Sequence, residues 1–283
     1  MTDSDRMWKT LSRVIRMEKP GTSVWLTRFT GQLTFRDLHF SKQALRMLNT
    51  PNAGGSSILS EVLSFEVLSR YLRAELYKME TEIQYFPKGG PMTDYVISVP
   101  RWSKNPRTRT LMRIAVSVVR LMTGPGQIYT LSDAERILHK KLRGIIQSNK
   151  TCQECWHQQL LHAWSPSINN TKLFKKAVHR LSRNSNADLL NNVIIIVSTA
   201  PRFPEIFYPR LERDNTVITQ PILCLDKQSD GLPRLVKSIP KMPMKPSKMW
   251  QCHVSYFICL LDSVNINRSE RTMELNSSPP FFF

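Results

Sequence analysis

Apolar positions crowd most densely between 58 and 76, where Ile58, Leu59, Val62, Leu63, Phe65, Val67, Leu68, Tyr71, Leu72 and Leu76 leave little polar arc. Their spacing predicts one long helix over 58–78, apolar around most of its circumference and therefore buried. The loop before it, 50–57, is rich in Gly, Pro, Asn and Ser, and Ser56 or Ser57 stands where a hydroxyl can cap the helix's free amides. Three strand-like segments follow, at 80–86, 93–99 and 111–122. Alternation in the second places Asp94, Val96 and Ser98 on one face and Thr93, Tyr95, Ile97 and Val99 on the other. The third, apolar almost without interruption from Ile114 to Leu121, has the pattern of an interior strand. Pro87-Lys88-Gly89-Gly90-Pro91 makes a tight connection between the first two.

Further along, Ser132 and Glu135 match a capping box, opening a helix over 132–147. That helix has an apolar face (Ala134, Ile137, Leu138, Leu142, Ile145) and a basic face (His139, Lys140, Lys141, Arg143). A strand at 156–164, a basic helix over 170–182 capped by Asn170, and a strand at 193–198 complete the pattern. Upstream, 1–23 shows weak helical spacing through Trp8, Leu11, Val14 and Ile15. Residues 24–35 read as extended with a turn at Thr30-Gly31-Gln32, and 37–48 as helical. After Thr199, prolines recur at 201, 204, 209, 221, 233, 240, 243 and 246, the texture of an extended arm.

The expected architecture is α/β: a mixed central sheet with flanking helices, its core running helix-strand-strand-strand-helix-strand. It divides into an N-terminal extension (1–50) packing on the core, the core itself (56–200), and a Pro-rich arm with a disordered tail (201–283). The ending Ser277-Ser278-Pro279-Pro280-Phe281-Phe282-Phe283 has the look of an alternative or read-through tail.

Charge changes the picture. Forty Lys and Arg against 22 Asp and Glu leave +18 over 283 residues, an excess that favours polyanionic partners. The apolar runs at 193–197 and 254–261 are far shorter than a membrane span, and the first residues lack a secretory pattern. Five scattered cysteines read as reduced thiols, so the expected location is intracellular, nuclear or cytoplasmic, and not secreted. Cys152 and Cys155, with His157 and His162 beyond, lack a second pair at zinc-finger spacing and read as small buried hydrophobes. No phosphate-cradling Gly loop, hydrolase elbow or kinase signature is present.

Four side chains carry candidate chemistry. Glu61 falls inside the apolar arc of its helix, among Ile58, Phe65 and Leu68, whereas Glu66 lies nearer the edge, beside Val62 and Arg70. Asp94 sits on the second strand, and Arg120 ends the third after Val118-Val119. This order of elements and residues resembles the restriction-endonuclease-like nuclease superfamily over about 56–200. The resemblance implies a strand acid at Asp94, a helix acid at Glu61 or Glu66, and Arg120 in place of the family's third-strand lysine. Asp94 and Glu61 would then hold Mg²⁺, which activates water and stabilises charge on the cleaved phosphate, while Arg120 steadies that phosphate. The family's third-strand acid falls on Val118, which cannot bind metal, so cleavage is expected to be lost or incomplete.

The plainer reading of the same residues is ionic: Glu66 neutralised by Arg70 or Arg73, Arg120 by a helix glutamate, Asp94 by a nearby lysine. A phosphate-tracking surface is expected from Arg101, Trp102, Lys104, Arg107 and Arg109 of the loop 101–109, with Lys140, Lys141 and Arg143. Trp102 would stack on a base. The leading expectation is thus a nucleic-acid-associated protein, for DNA or RNA, on a nuclease-like core. The alternative is a non-enzymatic scaffold whose basic arm near 237–248 docks on an acidic protein. Attachment of the basic helices to an acidic membrane surface is a third.

Overall fold

The computed structural model describes residues 3–16, 23–29, 40–50, 57–101, 110–124, 126–208 and 264–265. The chain divides into two units, Met1–Pro209 with Leu260–Phe283, and Arg210–Cys259. The second, which holds most of the expected arm, lies outside the described residues, as does most of the loop 101–109.

The long apolar helix forms, but shorter than its pattern predicts. Helix α3, Ile58–Leu72, stops where Arg73 turns left-handed at φ 55°, and strand β2, Glu75–Met79, begins two residues later. Leu72 and Leu76 sit four apart and so read as helical, yet Leu76 belongs to β2, hydrogen-bonded to β3, Tyr95–Pro100. The first strand expected at 80–86 is therefore displaced: that stretch holds a single 3₁₀ turn, Glu80–Glu82. The connection after it places Gly89 at φ 93° and Gly90 at φ 88°, where a side chain would strain the backbone.

Strand β4, Leu111–Arg120, is the interior strand its apolar run predicts, antiparallel to β3 and parallel to β5, Gln158–Ser165. Helix α4, Leu131–Thr151, makes the crossover from β4 to β5. It is capped by Thr130 with Asp133, not by Ser132 with Glu135. Helix α5, Ile168–Leu181, is capped by Ser167 and crosses to β6, Val193–Thr199. Upstream, the structure has helices α1, Asp3–Arg16, and α2, Lys42–Asn49. Between them strand β1, Ser23–Arg28, lies parallel to β6, so the N-terminal segment does more than pack on the core: it supplies a strand to its sheet. A two-residue strand β7, Val264–Asn265, pairs with β1 and completes the order β2-β3-β4-β5-β6-β1-β7.

Strand alternation sorts the two faces of this mixed sheet. Leu161 and Ala163 of β5, with Ile195 and Val197 of β6, pack into one cluster with Leu138 and Leu142 of α4 and Phe174 and Val178 of α5. His162 and Trp164 point the other way, toward α3, where Trp164 Nε1 donates to the Ser60 carbonyl at 2.9 Å. Phe65 of α3 meets Tyr95 edge-on, and Trp8 of α1 stacks on Tyr71 at 4.3 Å. The result is three layers with both sheet faces covered, as parallel strands require.

Candidate functional site

The expected acids do converge at one end of the sheet, with one exception. Glu61 of α3 and Asp94, just ahead of β3, line a cleft of about 20 Å³ together with Met47, Thr50, Ile58, Met79, Glu80 and Thr81. That volume accommodates one water molecule or small ion. Glu61 is buried; burial lowers the Arg120 pKa, and the nearby Glu61 opposes that lowering in part. Arg120 also reaches the Phe207 carbonyl, 3.5 Å from its Nη1.

Asp94 accepts a hydrogen bond from the Val118 amide at 2.5 Å and faces the Lys141 ammonium at 3.9 Å. Burial raises its carboxyl pKa, against the opposing pull of Lys141 and the Val118 amide. Val118 thus meets Asp94 through its backbone amide. Lys141, one of the residues expected on the phosphate-tracking surface, lies beside Asp94 and is partly exposed.

Glu66 leaves this group altogether. Its carboxylate accepts from the Ser41 amide at 3.2 Å and the Ser41 hydroxyl at 2.9 Å, and is clamped by Arg70 one turn on at 2.9 Å. It therefore ties the start of α2 to α3 and has no place in the cleft.

A metal fits these residues poorly. Among the described residues, no three His, Cys, Asp or Glu side chains gather closely enough to hold one. The two cleft carboxylates expected to hold Mg²⁺ already have cationic neighbours in Lys141 and Arg120. Cys152 is half-buried against Ile83, Val96 and Ala115, and burial raises its thiol pKa; Cys155 is exposed.

Across the strands, on the side of the sheet that faces α3, runs a polar chain that the sequence pattern conceals. Tyr95 OH meets Ser64 Oγ at 2.6 Å, and Ser64 Oγ meets His162 Nδ1 at 2.7 Å. His162 Nε2 meets Ser198 Oγ at 2.7 Å, which in turn meets Thr27 Oγ1 at 2.8 Å. Five residues from α3, β3, β5, β6 and β1 are joined with every link satisfied, although Ser64, Tyr95, His162 and Ser198 have no solvent exposure. Burial drives the His162 pKa down to about 3, so the ring is neutral at ordinary pH. No solvent reaches Ser64 or His162, so the pair does not form a hydrolytic dyad; it fixes α3 on the sheet. The available signal was polar residues at otherwise apolar strand positions, His162 among Leu160, Leu161 and Ala163.

Of the expected phosphate-tracking residues, Arg101, Lys140 and Arg143 are exposed, whereas Trp102, Lys104, Arg107 and Arg109 lie outside the described residues. A basic face on α5 is equally exposed: Lys172, Lys176, His179 and Arg180 face solvent and Lys175 does so in part, with no acid in the helix.

No family model matches the chain, and no solved structure does. The sequence is similar to the AAC-rich mRNA clone AAC4 protein of Dictyostelium discoideum, 38% identical over 138 residues, which cover 46% of this chain and 19% of that protein. The similarity therefore spans about a fifth of the relative's length.

Proposed function

We propose that the chain is a nucleic-acid-associated protein built on a restriction-endonuclease-like core whose cleaving apparatus is incomplete. The observation that carries this reading is the meeting of Glu61, Asp94 and Arg120 at one sheet end, on elements running α3-β2-β3-β4-α4-β5, with Val118 where an acid would complete the set. The net charge of +18 supports a phosphate-rich partner, because neutralising phosphates with Lys and Arg releases counter-ions. Asp94 with Lys141, and Glu61 with Arg120, take up charges that a metal-assisted nuclease would direct at Mg²⁺ and phosphate. Binding without cleavage follows.

The test incubates the full chain with labelled DNA and RNA, single- and double-stranded, with Mg²⁺ or Mn²⁺. Retarded but intact nucleic acid is the expected result. Cleavage that disappears in Asp94→Ala would make the protein a working nuclease and overturn the claim of incompleteness. Failure to bind any nucleic acid would remove the functional reading itself.

A second reading has its own support. The three pairs Glu66–Arg70, Asp94–Lys141 and Glu61–Arg120 are all explicable as internal neutralisation. On that reading the core is a scaffold for an acidic protein partner, and nucleic acid should bind no better than any polyanion of equal charge.

A further inference from the structure

We propose that the outer face of α5 is a docking surface for the sugar-phosphate backbone of double-stranded nucleic acid, held by Lys172, Lys175 and Lys176. This rests on the nucleic-acid reading above and assigns it a surface and a kind of duplex contact.

The geometry is that of a one-sided helix. Thr171, Phe174, Ala177, Val178 and Leu181 are buried against the core. At about 100° per residue, positions 172, 175, 176, 179 and 180 fall within an arc of roughly 140°, and every one of them is basic. Among the described residues, Lys172, Lys175 and Lys176 face no carboxylate within ion-pair distance. Glu135 of α4 is engaged by Arg180 at 3.0 Å.

An unneutralised row of this kind matches a regular phosphate array. From 172 to 176 the helix advances about 6 Å, a length over which one strand of a duplex presents roughly two phosphates. Three clustered ammonium groups on a rigid rod are suited to that repeat, whereas a flexible single strand gains most from exposed aromatic groups, and α5 displays none. Insertion into a membrane surface needs a broad apolar side facing outward, and apart from Ile168 at its first turn the apolar side of α5 is spent on the core. The contact made by lysine ammonium groups is electrostatic and carries no base readout, so duplexes of any sequence should bind alike.

The experiment compares the full chain with its Lys172→Gln/Lys175→Gln/Lys176→Gln variant. Glutamine keeps the helix-forming stem and removes only charge, and folding is checked by circular dichroism. Fluorescence anisotropy is read against a labelled DNA duplex, an RNA duplex of the same sequence and the matching single strand, over a salt series; flotation with vesicles containing acidic lipid runs in parallel. Lys42→Gln/Lys88→Gln, exposed on other elements, is the control. The expected result is duplex binding at least tenfold weaker at 100 mM salt, with the slope of log K against log salt shallower by about 2 to 3. The control should keep the wild-type slope, and the DNA and RNA arms show which duplex is preferred. A triple variant with wild-type slope and affinity would overturn the assignment of α5 while leaving nucleic-acid binding intact. Loss confined to the single-strand or vesicle arm would also overturn it, and a wild type that binds no duplex would defeat both readings.

Discussion

Replacing His162 with glutamine should change how stability depends on pH, and the size of the change follows from burial. Between Ser64 and Ser198 the imidazole uses both ring nitrogens, one as donor and one as acceptor, and is neutral because its pKa is driven from 6.5 to about 3. The unfolded chain takes up a proton at this side chain below pH 6.5, and the folded chain refuses it until about pH 3. Stability is therefore fully present above 6.5 and falls as pH drops through that window. Between pH 8 and pH 5 the loss from this one residue is about 2 kcal/mol, and by pH 4 about 3 kcal/mol. Glutamine spans a similar length and offers both a donor and an acceptor, but it does not titrate. We expect His162→Gln to be less stable than wild type by roughly 1–3 kcal/mol at pH 8, from imperfect hydrogen bonds and packing. That deficit should shrink by about 2 kcal/mol at pH 5. Urea unfolding followed by tryptophan fluorescence at several pH values measures both curves. Since every other group titrates in both proteins, the difference between them isolates His162. Parallel curves, with a deficit unchanged from pH 8 to pH 5, would show that the imidazole is not held neutral by burial.

Three other substitutions test two ion pairs and one left-handed turn. Lys141→Met leaves the Asp94 carboxyl, already raised in pKa by burial, with the Val118 amide but no cation; after allowance for solvent around Lys141, denaturant titration should show a cost of about 1–2 kcal/mol at pH 8. This cost should diminish as pH falls, because a protonated Asp94 needs no counter-ion. Glu66→Gln weakens the tie to Ser41 and Arg70 and should cost about 1–2 kcal/mol in urea unfolding, with nucleic-acid affinity unchanged. Gly90→Ala places a Cβ in open space but at φ 88°, so thermal unfolding should report about 1 kcal/mol of purely backbone strain.

How legible the chain was depended on whether a signal was periodic or spatial. The apolar run of β4 and the amphipathic stripes of α4 and α5 show through because burial on one face or two dictates residue type along the element. The end of α3 does not, since Leu72 and Leu76 satisfy helical spacing equally well and only the left-handed turn at Arg73 breaks the helix. For α4, two overlapping capping patterns compete, and Thr130 with Asp133 closes the box two residues ahead of Ser132 with Glu135. Within the candidate site, Glu61, Asp94 and Arg120 could be chosen from order and polarity alone. That Glu66 serves Ser41 instead, and Lys141 serves Asp94, depends on contacts between residues 25 and 47 positions apart, which no local pattern encodes. The chain from Tyr95 through His162 to Thr27 was hidden for the same reason: its members sit singly on five elements, each resembling an isolated polar residue in an apolar stretch.

Whether this basic protein engages phosphates is decided by the affinity of the full chain for a duplex and for a single strand across a salt series. Log K should fall in a straight line against log salt with a steep negative slope, set by the number of lysines and arginines that displace counter-ions. An affinity that barely changes from 50 to 200 mM salt, or no binding at the lowest salt, would contradict it.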